Sequence, residues 1–378
     1  MKLYLHIGTE KTGTTTIQEA LYRNQEALHD VGFHFLQCAG KKNNRAIPSY
    51  CFANDHYDDF FKSKKIYTIE QKKCFKSALK ALLDDEIKNL PSYIHSVIIS
   101  SEHFHSRTNT NEEIENVFSL LSQYFAETKV ICYLREQAEV STSHYSTYIK
   151  SGHTISFVEH IKRCTSANIY YNYHAMLTNW AKVFGKKNLI VRLFDKKAFV
   201  NGDLLDDFFT SIDPSLLQSI NKDIPRQNES LTELGQLIGR AANSTFSIYD
   251  KNGAPHPLRE TVFRAITNEF KGKGKQISLA EYDSIYNEFK ESNALLSKEY
   301  FNMKKGETCF PYNPPAQTIQ PYQLGEDDIE RIEKVLLSIV PPKELSFQSK
   351  TIRRAALKVD KLFYTWKTTI KKMRKSKL

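Results

Sequence analysis

A glycine- and threonine-rich segment near the amino terminus has the residue types and spacing of an anion-binding loop. It reads Gly8-Thr9-Glu10-Lys11-Thr12-Gly13-Thr14-Thr15-Thr16. The apolar run LYLHI precedes it, and a helical apolar pattern begins after Thr14. A turn of this kind directs several backbone N–H groups and the positive end of a helix dipole to one point, which suits a phosphate or a sulfate. In a Walker A loop the lysine would follow the last glycine, whereas here it lies two residues before Gly13.

The pentapeptide Lys11-Thr12-Gly13-Thr14-Thr15 resembles the 5′-phosphosulfate loop of sulfotransferases that use 3′-phosphoadenosine 5′-phosphosulfate (PAPS). The longer stretch HIGTEKTGTT is similar to bacterial carbohydrate-type members. The resemblance implies PAPS as the sulfuryl donor, adenosine 3′,5′-bisphosphate (PAP) as the product, and no required metal. It implies that backbone N–H groups of residues 12–16 hold the 5′-phosphate while Lys11 stabilises charge at the bridging oxygen. The alternative is an ordinary Gly/Thr turn with a solvated lysine.

A second anion-binding group is expected after the strand KVICYL at 129–134. Arg135 follows this strand directly, and Ser143 lies eight residues later on the next predicted helix. A guanidinium and a hydroxyl in these positions can converge on one phosphate. The arrangement resembles the 3′-phosphate motif of the same family, although Ser141 is a neighbouring hydroxyl and a surface ion pair is the ordinary role of such an arginine.

Candidate catalytic bases follow the strand SVIISS at 96–101. Members of the family are similar in placing a glutamate or a histidine here, which implies Glu102 as the base that activates the acceptor hydroxyl, with His103 as the alternative. An imidazole has an unperturbed pKa near 6.5, which suits this role. His105 is expected to be a surface or supporting histidine, and Glu10 a structural or substrate-side acid.

A further resemblance lies at Arg226-Gln227-Asn228-Glu229-Ser230-Leu231, which is similar to the family's Arg-x-Asn-x-Ser-Leu. It implies that Arg226 and Asn228 contact the nucleotide, although Asn228 is also a natural helix cap. The resemblance extends over residues 1–235. The Arg-Lys-Gly motif of cytosolic small-molecule sulfotransferases is absent from the sequence.

The elements that position these loops alternate between apolar runs and helical periodicity, which predicts an α/β fold with a parallel sheet flanked by helices, like that of P-loop-like sulfotransferases. Functional loops are then expected at the carboxyl ends of the strands. The predicted strands are 3–7, 32–36, 96–101, 129–134 and 188–194. The predicted helices are 70–90, 112–125, 136–149, 173–184, 230–243, 257–270 and 279–302, with a loop at 305–325. We expect an α/β core at 1–235, a mainly helical part at 236–349 and a basic tail at 350–378.

The net charge of +10 is concentrated in that tail, which holds 11 Lys and Arg and one acid, whereas the remaining chain holds 42 residues of each sign. A formally neutral body argues against nucleic acid as a partner. Apolar residues recur in the tail at helical spacing, which predicts either contact with an anionic membrane or a docked terminal helix. Six scattered cysteines and the absence of a signal-like or membrane-spanning segment indicate a cytoplasmic protein, peripheral on the inner membrane face if the tail binds lipid.

These features predict a PAPS-dependent sulfotransferase that acts on a carbohydrate, such as a glycan, a glycolipid or a capsule-type polysaccharide intermediate. One alternative is an ATP-dependent P-loop kinase, which would place an acid rather than Arg135 after the strand. Another is a non-catalytic membrane-associated adaptor with a relic nucleotide fold.

Overall fold

The structure, a computed structural model, describes residues 1–225, 230–250, 253–315, 322 and 325–339. Within these residues five strands form one parallel sheet in the order β2-β3-β1-β4-β5. The strands are β1 Lys2–Gly8, β2 Phe33–Phe35, β3 Ser96–Ser100, β4 Glu127–Leu134 and β5 Leu189–Leu193. The predicted α/β fold with a parallel sheet flanked by helices is confirmed.

Helices connect the strands and cover both faces of the sheet. Those of the amino-terminal part are α1 Thr14–Arg23, α2 Gln25–Asp30, α3 Ala46–Cys51, α4 Asp59–Ser63, α5 Ile69–Lys88, α6 His103–Arg107, α7 Asn111–Leu121, α8 Gln137–Lys150, α9 Phe157–Ile161 and α10 Tyr173–Phe184. They are followed by α11 Leu204–Ile212, α12 Glu233–Thr245, α13 Pro257–Glu269, α14 Leu279–Phe301 and α15 Glu326–Ile339.

The central strand β1 separates two hydrophobic clusters because its side chains alternate between the faces of the sheet. Leu3, Leu5 and Ile7 pack with α3, α5, α7 and α10, whose Trp180 is completely buried. Tyr4 packs on the opposite face with α1, α2 and α11. A sheet covered on both faces explains why its strands are continuous apolar runs in the sequence.

Short helices account for most differences from the sequence prediction. The helical pattern that begins after Thr14 corresponds to two helices, α1 and α2, with Asn24 between them; its side-chain amide donates to the carbonyl of Ala20 at 2.9 Å. Helices α6 and α9 have five residues each, too few for an apolar period to stand out.

The chain divides into two compact units. The described residues of the first lie in 1–140, 164–225 and 284–313 and include the whole sheet. Those of the second lie in 141–163, 230–250, 253–283, 314–315, 322 and 325–339. In the second unit α13 packs against α12 and α15. Glu269 of α13 forms ion pairs with Arg331 at 3.2 Å and with Lys334 at 2.7 Å. None of the helices in the described ranges has the length and apolarity needed to cross a membrane.

A buried carboxylate ties α11 to the sheet in the first unit. Asp207 is fully buried and accepts from the hydroxyl of Tyr133 at 2.6 Å, from Nε of Arg192 at 2.9 Å and from the backbone of Val200 at 3.1 Å. Burial and the bond to Asp207 raise the pKa of Tyr133, so the phenol remains protonated and acts as the donor.

We expect Asp207→Ala to lower the free energy of unfolding by about 3 kcal/mol, because it leaves the Arg192 guanidinium and the Tyr133 hydroxyl without their shared partner. Tyr133→Phe removes one hydrogen bond and should cost about 1 kcal/mol. Urea denaturation of the two variants and the wild type measures both losses. Equal losses would show that the carboxylate does not organise this network.

Candidate active site

The loop after β1 is tightly wound and leads directly into α1. Three of its residues have positive φ angles: Gly8 at 92°, Lys11 at 66° and Gly13 at 76°. The left-handed region is costly for a residue with a Cβ, so a lysine held there is unusual. Gly13 occupies the N-cap of α1 and offers no side-chain cap. By contrast, Thr110 begins α7 with a complete capping box.

Two threonines of the loop are used to hold its shape. The hydroxyl of Thr9 donates to the carbonyl of Tyr133 on β4 at 2.9 Å, and that of Thr12 donates to the carbonyl of Thr9 at 2.6 Å. Both residues are completely buried. The predicted contribution of Thr12 to phosphate binding therefore depends on its backbone N–H, because its hydroxyl already donates within the loop.

The structure brings Lys11 and Arg135 together at the ends of neighbouring strands. Arg135, at the end of β4, donates from Nη1 to the carbonyl of Lys11 at 3.3 Å and from Nε to Glu139 at 2.8 Å. Its guanidinium lies 5.6 Å from the ring centre of Phe194. Two cationic residues that are 124 positions apart in the chain thus share one edge of the sheet.

The other predicted donor-binding residues are placed as follows. Thr14, Thr15 and Thr16 form the first turn of α1. Ser143 lies on α8 within the second unit, where its side chain is half-buried. Ser141 on the same helix is fully buried, and its hydroxyl has no hydrogen-bond partner among the described residues. The convergence of Arg135 and Ser143 on one phosphate remains a prediction. Arg226 and Asn228 lie outside the described residues, as does the tail at 350–378.

Glu102 lies directly after β3 and packs against the loop after β1. A Cβ added to Gly8 would be 2.9 Å from Cα of Glu102, so this glycine permits the close approach. Oε2 of Glu102 accepts from the side-chain amides of Gln18 at 2.7 Å and Asn43 at 2.8 Å. Burial raises the pKa of Glu102, and these two hydrogen bonds act in the opposite direction.

His103 follows Glu102 as the first residue of α6, with Nε2 3.9 Å from Oε1 of that carboxylate. Burial, followed by the charges of Arg45 and Arg107, lowers the pKa of His103 to about 3. A neutral imidazole with so low a pKa is a weak proton acceptor at pH 7. The raised pKa of Glu102 makes the carboxylate the better matched of the two bases.

Several polar contacts around the loop could not be predicted from local patterns. Glu10 accepts from the hydroxyl of Tyr170 at 2.8 Å, and Nε2 of His105 lies 2.9 Å from the carbonyl of the same tyrosine. His105 is buried rather than at the surface. For Gln18 the sequence contains one indication of a place near the site: it lies one turn after Thr14, so the two residues share a face of α1. For Asn43 the sequence contains none.

Comparison with known proteins adds little to this geometry. No family model matches the chain. An uncharacterized protein of Archaeoglobus fulgidus is 28% identical over 188 residues, which cover 47% of each protein, so the chain aligns with about half the length of that relative. The crystal structure of a sulfotransferase from Alicyclobacillus acidocaldarius is similar over 79% of this chain and 95% of that one, with 12% identity and a TM-score of 0.41. Because this similarity is too low to argue for a shared activity, the functional assignment depends on the site.

We expect Gly8→Ala to destabilise the protein by more than the conformational cost of its positive φ. A matched control is Gly306→Ala, because Gly306 has a φ of 97° and no atom of the described part of the chain lies within 4 Å of an added Cβ. That variant should lose only about 1 kcal/mol of unfolding free energy, whereas Gly8→Ala should lose at least about 2 kcal/mol because its Cβ meets the backbone of Glu102. Urea denaturation measures both, and similar losses would contradict the close packing of Glu102 on the loop.

Proposed function

We propose that the protein is a PAPS-dependent sulfotransferase that transfers a sulfuryl group to a hydroxyl of a carbohydrate. One observation carries the proposal: the three loops with the required chemistry follow three adjacent strands, β3, β1 and β4. The loop of Lys11 is central, with Arg135 donating to its backbone on one side and Glu102 packed against Gly8 on the other. The ends of parallel strands are the usual place for a ligand in such folds.

The residues present fit a donor that has two separate anionic groups. The uncapped first turn of α1, the backbone of residues 12–16 and Lys11 suit the 5′-phosphosulfate. Arg135 suits the 3′-phosphate, and we propose Ser143 as its partner there. We further propose Arg226 and Asn228 as nucleotide contacts on the basis of the sequence alone.

PAPS supplies an activated sulfuryl group, so the chain has to orient the reactants and manage charge and one proton. Lys11 stabilises the negative charge that develops on the leaving phosphate when its bond to sulfur breaks. Glu102 takes the proton of the acceptor hydroxyl as that oxygen bonds to sulfur, and it holds the proton when PAP leaves. His103, neutral at pH 7, lies beside the carboxylate with its Nε2 3.9 Å from Oε1.

The carbohydrate acceptor is supported by the resemblance of the Lys11 loop to carbohydrate-type enzymes. A site at the inner membrane face, reached through residues 350–378, is proposed from the composition of that tail. The proposed partners are therefore an acceptor glycan or glycolipid and an anionic lipid surface.

Incubation of the purified protein with PAPS and a panel of oligosaccharides should yield PAP and a sulfated sugar. We expect Lys11→Ala and Arg135→Ala each to reduce turnover at least about 100-fold, since each removes charge stabilisation at one end of the donor. In thermal-shift measurements PAP should raise the melting temperature of the wild type more than ATP or GTP does.

Lys73→Ala provides the control, because Lys73 is an exposed lysine of α5 with 69% of its side-chain surface accessible. It should retain wild-type turnover. Normal activity in both Lys11→Ala and Arg135→Ala would refute the site. Stabilisation by ATP and magnesium with no response to PAP would favour the kinase alternative instead.

A further inference from the structure

Two amides that are far apart in the chain hold one oxygen of Glu102. Gln18 comes from α1, one turn after the residues expected to bind the donor, and is 5% exposed. Asn43 comes from the segment before α3. Their amides reach Oε2 at 2.7 and 2.8 Å, both within the range of strong hydrogen bonds to a carboxylate. Oε2 is thereby committed, and Oε1 is the remaining oxygen of the carboxylate.

This arrangement fixes the side chain more strongly than packing alone would. Gly8 lies against Cα and Cβ of Glu102, so the backbone of the residue is held by β1 while the carboxylate is held by Gln18 and Asn43. A carboxylate with one oxygen bound by two donors can rotate little. The other oxygen therefore has a defined direction, as a general base requires.

We propose that Gln18 and Asn43 are positioning residues that orient Glu102 for proton abstraction, and that Gln18 makes the orientation of the base depend on the same helix that binds the donor. This inference rests on the proposed function, since it takes Glu102 as the base and the N terminus of α1 as the donor site. It assigns a role to two residues that the anion-binding motif does not contain.

Charged and hydrogen-bonding groups around Glu102 set its pKa, so the pKa of this carboxylate is the property to test. Glu10, from the loop after β1, opposes ionisation of Glu102, and Arg45, at the start of α3, favours it. His103 of α6 is uncharged above a pKa of about 3. The hydrogen bonds from Gln18 and Asn43 favour the carboxylate, so their loss should raise the pKa of Glu102 further.

The test compares the pH dependence of kcat/KM in the wild type, Gln18→Met and Asn43→Ala, with PAPS and the best oligosaccharide of the panel. A base must be unprotonated, so activity rises with pH through the pKa of Glu102. We expect the acidic limb of the profile to move to higher pH by about one unit in each variant, as befits a lost hydrogen bond to a charged group. The KM for PAPS should stay within about twofold, because both amides donate to Glu102 and neither belongs to the segments expected to bind the donor.

Gln236→Met is the matched control, since Gln236 is a buried glutamine whose amide donates to Ser146 in the second unit. It should lower stability without moving the profile. Asn43→Ala keeps the test decisive if Gln18→Met does not fold, because Asn43 is only half-buried in a loop. An unmoved limb in an active, folded variant overturns the proposal.

A titration of Glu102 by carbon NMR, with side-chain carboxyl labelling and assignment by Glu102→Gln, separates this inference from the proposed function. If the wild type shows no turnover with PAPS, the proposed function fails. A rise of about one unit in the pKa of Glu102 in Gln18→Met then still supports the hydrogen-bonding role. An unchanged pKa in that titration overturns the role as well.

Discussion

The close approach of the loop after β1 to the ends of its two neighbouring strands is the constraint on which the candidate site depends. Gly8 lets Glu102 lie against the loop on the β3 side, and the carbonyl of Lys11 accepts from Arg135 on the β4 side. A side chain at position 8 would separate the candidate base from the loop. The site is therefore a consequence of sheet order, with β1 in the middle, combined with a loop short and glycine-rich enough to lie between its neighbours.

The electrostatics of this edge divide into two parts with different physical origins. On the donor side, an uncapped helix N terminus and the cationic side chains of Lys11 and Arg135 favour anions. On the base side, burial raises the pKa of the Glu102 carboxylate and lowers that of the His103 imidazole. Cationic and proton-accepting functions next to each other are what a transfer between an anionic donor and a hydroxyl needs.

Much of the fold could be predicted from the sequence because its signals are local. Each strand is an apolar run, and the loop after β1 has glycines at both ends of a threonine-rich turn. The same apolar runs predict that Lys11 and Arg135 lie at the ends of strands. Their contact required sheet order, because the residues between them contain β2 and β3, and no periodicity states which strands become neighbours.

The supporting residues could not be predicted in the same way. Gln18, Asn43 and Glu102 meet through side-chain hydrogen bonds across 84 and 59 positions, and Tyr170 reaches Glu10 across 160. Such contacts depend on the final packing of loops. The low pKa of His103 likewise arises from burial and from Arg45 and Arg107, a combination that no local motif contains. Sequence thus left the choice of base open, and the surroundings of the two side chains favour Glu102.

The central claim is that one doubly phosphorylated nucleotide spans the loop after β1 and the end of β4. A crystal structure of the protein with PAP tests this most directly. The account predicts the 5′-phosphate within hydrogen-bond distance of backbone N–H groups of residues 12–16 and the 3′-phosphate in contact with the guanidinium of Arg135. A nucleotide bound elsewhere, or one whose phosphates contact neither segment, would contradict it.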